Sequence, residues 1–298
     1  MSDLLTRNGF SFQKKYGQNF LQDVKIPRRI AAECTAYENG ESGRIRALIL
    51  EIGPGAGILT KELAAVFERV VAVEIDTSLK PVLDESLKGI DNAEIVFGDI
   101  METELHALLD ERRKATDGFL LPVTVCANLP YYITTPILMK LLESRYDFDY
   151  ITVMVQKEVA VRLTSPPGTA EYGAITASIG LYASVKRLFT VPSGCFYPRP
   201  KVDSAVIRLS LHRPSRYTDT QIVGASALIK AAFSVRRKTL INALGGAGYD
   251  KAAALAVLSA QGYDAAVRGE TLSTDAFVRL YDGFTAPTAD NKGGSQNA

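Results

Sequence analysis

The chain has 298 residues, 47% of them hydrophobic and 22% charged, with a formal net charge of +1, the composition of an ordinary globular protein of one large or two moderate domains. No apolar run is long enough to cross a bilayer and MSDLLTRNGF has no secretory pattern, so a soluble cytoplasmic chain is expected, with monomer as the default state. Two distant histidines (His106, His212) and three scattered cysteines (Cys34, Cys126, Cys195) argue against a metal site or a Ser-His-Asp triad, and for reduced thiols.

Strands and helices alternate through the first two thirds. Residues 47–52 (ALILEI) read as a buried strand, and 58–69 have helical spacing. A second strand follows at 70–75 (VVAVEI), then a helix at 79–87, a third strand at 93–97 and a helix around 104–113. The fourth strand is 123–127, followed by a helix at 135–143 and a fifth strand at 150–155. Strands apolar on both faces and separated by helices imply a parallel, doubly wound α/β sheet. Two further strands near 185–190 and 202–209 lie close in sequence and should add antiparallel at one edge. From about residue 214 every apolar pattern is helical, which predicts a small all-helical C-terminal domain over 214–284, with Ser273 or Thr274 capping its last helix. The polar tail 285–298 reads as disordered.

Charge is segregated along the chain. Residues 184–216 hold seven Lys/Arg against Asp203 alone, and 1–29 hold six bases against two acids. Residues 74–117 hold twelve acids against five bases. Such a chain can present a basic face to a polyanion while staying near neutral overall.

The chemistry sits at the strand ends. After the first strand comes Glu51-Ile-Gly53-Pro-Gly55-Ala-Gly57, where glycines let backbone approach a ligand at the carboxyl edge of the sheet. The spacing is GxGxG, not GxGxxG, and no GK[ST] follows, which excludes an NTPase P-loop. Glu74 ends the second strand, where an acid can accept from ribose hydroxyls, and Asp99 follows the third, where one can accept from an adenine amine. Taken in order, these describe a site for S-adenosylmethionine. The fourth strand ends in Asn128-Leu129-Pro130-Tyr131. Proline stiffens the turn and pushes Leu129 toward an extended conformation. The Asn128 carboxamide and a backbone carbonyl could receive an exocyclic amine while Tyr131 covers a face of the base. A plain strand end and turn would explain the tetrapeptide alone equally well.

With these residues in place, the chain resembles the ribosomal RNA adenine N6-dimethyltransferase family, of the KsgA/RsmA type and related to the Erm methyltransferases. The likeness runs from Lys14 to about Leu244 through KKYGQNFL, EIGPGAGILT, NLPYYITTPIL, VQKEVAVRL, FYPRPKVDSAVIRL and FSVRRKTLINAL. It implies a Rossmann-like methyltransferase domain over 1–213, whose N-terminal segment folds over the cofactor as a lid, and an RNA-binding role for 214–284. It implies cofactor contacts from Asn19, Leu21, Gly53, Gly55, Glu74, Asp99 and Asn128. Asn128, Tyr131 and Phe196 would handle the target adenine. Phe196 lies in a Gly- and Pro-bounded loop, where a large ring is not obviously a core residue. Arg199, Lys201, Arg236, Arg237 and Lys238 would contact RNA. The implied substrate is a pair of adjacent adenines in a hairpin loop near the 3′ end of 16S ribosomal RNA, met within a small-subunit assembly intermediate. An Erm-type enzyme, a DNA adenine methyltransferase and a non-catalytic ribosome assembly factor or transcription factor on the same fold are the alternatives.

Overall fold

The computed structural model describes residues 2–13, 17–34, 43–235 and 237–286. Apolar runs become strands, and the chain threads them with helices. A short helix α1 (Ser2–Arg7), the two-residue strand β1 (Phe20–Leu21) and helix α2 (Lys25–Ala32) come first. None of the three announces itself by long apolar periodicity. Then follow β2 (Ile45–Ile52), α3 (Ile58–Val66), β3 (Phe67–Glu74), α4 (Lys80–Ser86), β4 (Ala93–Phe97) and α5 (Leu105–Leu109). β5 (Val123–Asn128), α6 (Thr134–Glu143), β6 (Phe148–Gln156) and α7 (Lys157–Thr164) complete the alternation.

The helix expected over 58–69 stops three residues short. Phe67 is already extended (φ −101°, ψ 150°), its ring is fully buried, and it pairs with Ile45 as the first residue of β3. At the other end β3 stops at Glu74, and Ile75 stands 43% exposed outside it.

β7 (Ala183–Val191), β8 (Phe196–Tyr197) and β9 (Ser204–Leu211) follow a helix, α8 (Ala174–Gly180). The large sheet has the order β4-β3-β2-β5-β6-β9-β7. β4 through β6 pair parallel, and β9 and β7 add antiparallel, as the sequence pattern suggested. β9 starts two residues later than expected. Asp203 sits in a turn instead, its carboxylate accepting from Ser193 N and its carbonyl from Lys157 N, each at 3.0 Å. The central strands are buried on both faces: Leu48, Ile49, Leu50, Val70, Val71, Val125 and Val153 have no exposed surface. Burying side chains of this size stabilises by about 1.5–3 kcal/mol each.

The chain divides into two compact units, 1–164 with 183–212, and 165–182 with 213–298. The second is helical: α8, then α9 (Asp219–Ala232), α10 (Leu240–Gly246), α11 (Lys251–Ala260) and α12 (Thr274–Thr285). The sheet-bearing domain expected over 1–213 is therefore interrupted. Residues 165–182 join the helices because Tyr172 is buried among them and its hydroxyl donates to Leu272 O at 2.8 Å, while Gly168 N donates to Glu270 O. α9 opens with a capping box formed by Thr218 and Gln221. Ser273, not Thr274, caps α12, accepting from Ala276 N. The Thr274 hydroxyl donates to Ala177 O at 2.9 Å. From residue 287 the expected disordered tail lies outside the described residues.

Candidate functional site

β2 lies between β3 and β5, and the chain leaves β2 toward β3 before returning to β5. Loops on either side of such a reversal splay apart and open a crevice at the carboxyl ends of the strands. The loop after β2 floors it. Gly53 has φ +70° and a Cβ there would meet nothing within 4 Å, so bare backbone faces the crevice. Gly55 has φ +59°, and a Cβ there would lie 2.7 Å from the Phe20 ring, so the N-terminal segment closes on it. Both positions favour a residue without a side chain.

Two carboxyls flank this loop. Glu74 is 4% exposed, and its oxygens are occupied: Oε2 accepts from Gly55 N at 3.0 Å and Oε1 from Asp76 N at 2.9 Å. Burial pushes its carboxyl up against the pull of these bonds. A carboxylate keeps further lone pairs, so Glu74 can hold the glycine loop and still accept from a ligand hydroxyl. Glu51, one strand over, is 1% exposed and lines the same crevice, but its Oε2 has no hydrogen-bond partner among the described residues. Desolvation pushes it up to about 8, helped by Glu74 and opposed by the nearby Thr60 hydroxyl, which itself lacks a hydrogen-bond partner.

Asn128 ends β5 at the opposite wall. Its Nδ2 donates to Asn19 O at 3.0 Å. A carbonyl can only accept, so the amide must turn its NH2 group to Asn19. Oδ1 is left without a protein partner among the described residues. Pro130 O already accepts from Ile133 N at 3.2 Å and from the Thr134 hydroxyl at 3.2 Å, so Leu129 O is the freer backbone acceptor. Tyr131 lines the crevice with its hydroxyl bonded to the fully buried Ser204 Oγ at 2.8 Å, which fixes the ring, and burial pushes its phenol up.

The N-terminal segment forms part of the crevice wall through residues 17–21. Gln18 and Gln13 donate to the two carboxylate oxygens of Asp76, at 2.7 and 3.0 Å. β1 pairs antiparallel with β8, matching Phe20 to Tyr197 and Leu21 to Phe196. Rings of Phe10, Phe12, Phe20 and Tyr197 cluster with centroids 5.4–5.9 Å apart, the Phe12–Phe20 pair tilted and the other three contacts edge to face.

Asn19, Leu21, Gly53, Gly55, Glu74, Asn128 and Tyr131 all line one crevice. Asp99 is not in its wall. It follows the edge strand β4, whose end is tied to β3 by Gly98 N to Glu74 O, and its own carboxylate closes a turn onto Met101 N at 2.8 Å. Phe196 corrects the expectation of an outward loop ring. It is 2% exposed and packs in the core with Leu21, Cys126, Met154 and Val206, while the adjacent Tyr197 is 41% exposed. Alternation along β8 sends one ring in and one out. Arg199 and Lys201 are exposed, Arg199 Nε donating to Ser193 Oγ at 3.1 Å. Arg237 and Lys238 are exposed in the link between α9 and α10, and Arg236 lies outside the described residues. Glu51, Gln18 and Ile75, assigned no individual role from the sequence, also stand in the crevice wall. Glu51 had a signal: a charged residue inside an otherwise apolar strand.

A family model described as ribosomal RNA adenine dimethylase matches residues 9–283. A ribosomal RNA small subunit methyltransferase A from Pelotomaculum thermopropionicum is 42% identical over 290 residues, covering 95% of this chain and 94% of that protein. Its counterpart from Shouchella clausii is 41% identical over 282 residues, covering 94% and 92%. Among solved structures, a dimethyladenosine transferase from Plasmodium falciparum superposes with a TM-score of 0.69 at 25% identity, over 88% of this chain and 95% of that one. The 23S rRNA methyltransferase ErmE gives 0.65 at 25% identity, over 89% and 99%. With a glycine-floored crevice at the sheet's reversal point and a match across almost the whole sequence, the chain belongs to the ribosomal RNA adenine dimethylase family.

Proposed function

We propose that the protein transfers methyl groups from S-adenosylmethionine to N6 of two adjacent adenines in a hairpin loop near the 3′ end of 16S ribosomal RNA, within a small-subunit assembly intermediate in the cytoplasm. The observation that carries this reading is the Asn128 amide, held by Asn19 O so that its oxygen stays available at the crevice beside Tyr131. The bound donor would supply an electrophilic methyl group. Gly53 fits it through an open backbone surface, Glu74 through spare lone pairs, and Glu51 through an unpartnered buried oxygen.

The lone pair of an adenine amine is delocalised into its ring, so the amine is a poor nucleophile. Asn128 Oδ1 and Leu129 O, both acceptors, would take its N–H hydrogens and favour a pyramidal nitrogen. That contribution is positioning and electrostatics. No side chain need act as a dedicated base, because the nitrogen becomes acidic once alkylated and can lose its proton to solvent. The base must leave its stack, and an aromatic face returns about 1–3 kcal/mol per base. Tyr131 offers that face directly. A contact from Phe196 requires its ring to leave the core. The exposed Arg199, Lys201, Arg237 and Lys238, with Arg236, would bind phosphates.

The test is to incubate purified protein and donor with unmodified small and large ribosomal subunits and to read modified nucleosides by mass spectrometry. N6,N6-dimethyladenosine in 16S RNA is expected. Modification confined to 23S RNA or to DNA would overturn the substrate assignment, and RNA binding without any methylation would overturn catalysis.

A further inference from the structure

Among the described residues, Glu51 is a carboxyl that the fold keeps without a counter-ion. It sits next to Ala72 on β3 and Cys126 on β5, both fully buried. The groups that face it are Glu74 from β3, the thiol of Cys126 from β5 with Cys34 behind it, and the Thr60 hydroxyl from α3. One of these is an acid and none is a cation. Its Oε2 is shielded from solvent and has no hydrogen-bond partner among the described residues, and the residue belongs to the crevice wall. Left alone, such a carboxyl holds its proton near neutral pH, and burial does push it up to about 8. Glu74 differs, since two backbone N–H groups already serve its charged form.

S-Adenosylmethionine carries a fixed sulfonium charge and an α-ammonium that titrates at about 7.7–8.0. A cation arriving in a low-dielectric crevice next to a neutral carboxyl favours its ionisation. Resting on the donor assignment above, we propose that Glu51 is the proton-linked counter-ion of the methyl donor: binding converts its carboxylic acid to a carboxylate and passes the proton to solvent. Donor affinity should then rise with pH by up to about tenfold per unit up to pH 7, and the rise should end near pH 8, where the free carboxyl and the donor's own ammonium both lose their protons. The proton release is a property of binding and needs no RNA and no turnover.

Isothermal titration calorimetry of the full-length protein with S-adenosylmethionine, in buffers of different ionisation enthalpy, counts the protons directly. Expected is the release of about one proton per site between pH 6 and pH 7, where the donor's own amine is still largely protonated. In Glu51→Gln, which preserves shape, release at pH 7 should vanish and affinity should lose its pH slope. In Glu74→Gln, release should persist even where affinity falls. Donor binding at pH 7 with no buffer dependence in the unaltered protein would overturn the inference while leaving the donor assignment intact. Release that survives in Glu51→Gln and disappears in Glu74→Gln would also overturn it, by moving the proton to the other acid. Failure of the donor to bind at all would overturn both readings.

Discussion

The end of β3 and the end of β2 each present a buried glutamate to the same crevice, and they are built differently. At Glu74 the fold supplies two backbone N–H donors, so the carboxyl is part of the scaffold that shapes the glycine loop. At Glu51 the fold supplies none to Oε2. Asn128 divides the same contrast within one side chain: its nitrogen is committed to the Asn19 carbonyl and its oxygen is open. Buried polar groups are normally satisfied, so an open one set in a crevice wall marks where a ligand is to complete the structure. Scaffold and site can therefore be separated atom by atom.

The sharpest way to break this division is Asn128→Ala, which removes an open atom. Methyl transfer at saturating donor should fall by a factor of about 100 to 1,000 or more, the range for losing one preorganised polar contact to the reacting group, with RNA binding retained. Single-turnover kinetics read this directly, and a near-normal rate would place the reactive amine elsewhere.

Next comes the free protein's stability against pH. Glu51 titrates near 8 in the folded chain and near the ordinary carboxylate value when unfolded. The unfolded state therefore gives up its proton first, and stability falls as pH rises from about 5 to 8, by up to a few kcal/mol. Glu74, also shifted up, adds in the same direction. Urea unfolding at pH 5 and pH 8 should show the loss, and Glu51→Gln should flatten most of it. A free protein that grows more stable over that interval would contradict the assignment.

A smaller effect tests the scaffold side. Glu74→Gln turns an acceptor-only group into one that must set an NH2 against a backbone N–H, and leaving a buried donor unmet costs about 1–3 kcal/mol. Thermal unfolding at pH 7 measures it. Smallest is Gln18→Ala, which cuts one of two amide links from the N-terminal segment to Asp76. A hydrogen bond to a charged group contributes about 1.5–3 kcal/mol, shared here with Gln13, so donor affinity should weaken roughly three- to tenfold. Calorimetry at pH 8 would show it, and an unchanged affinity would mean the segment does not hold the donor.

Much of the fold and of the crevice is legible in the sequence, for a physical reason. Strands buried on both faces are unbroken apolar runs, and glycines with positive φ stand at fixed places between strand and helix, so β2, β3, β5 and the loop from Gly53 to Gly57 declare themselves. What stayed hidden depends on contacts between distant segments. The pairing of β1 with β8, which draws Phe196 inward, involves two residues on each side and leaves no periodic trace. The commitment of residues 165–182 to the helical unit rests on Tyr172 meeting Leu272, a contact across 100 positions. Glu51 was visible as a charge within an apolar strand, but its lack of a partner is a property of the packed sheet.

The measurement closest to the central claim is an experimental structure of the protein with S-adenosylmethionine bound. The donor is expected across the Gly53 loop, in the crevice between the ends of β2 and β5. Asn128 Nδ2 should still meet Asn19 O, and Oδ1 should face the open side. A donor lodged away from that crevice, or an Asn128 amide rotated to present its nitrogen there, would contradict the account.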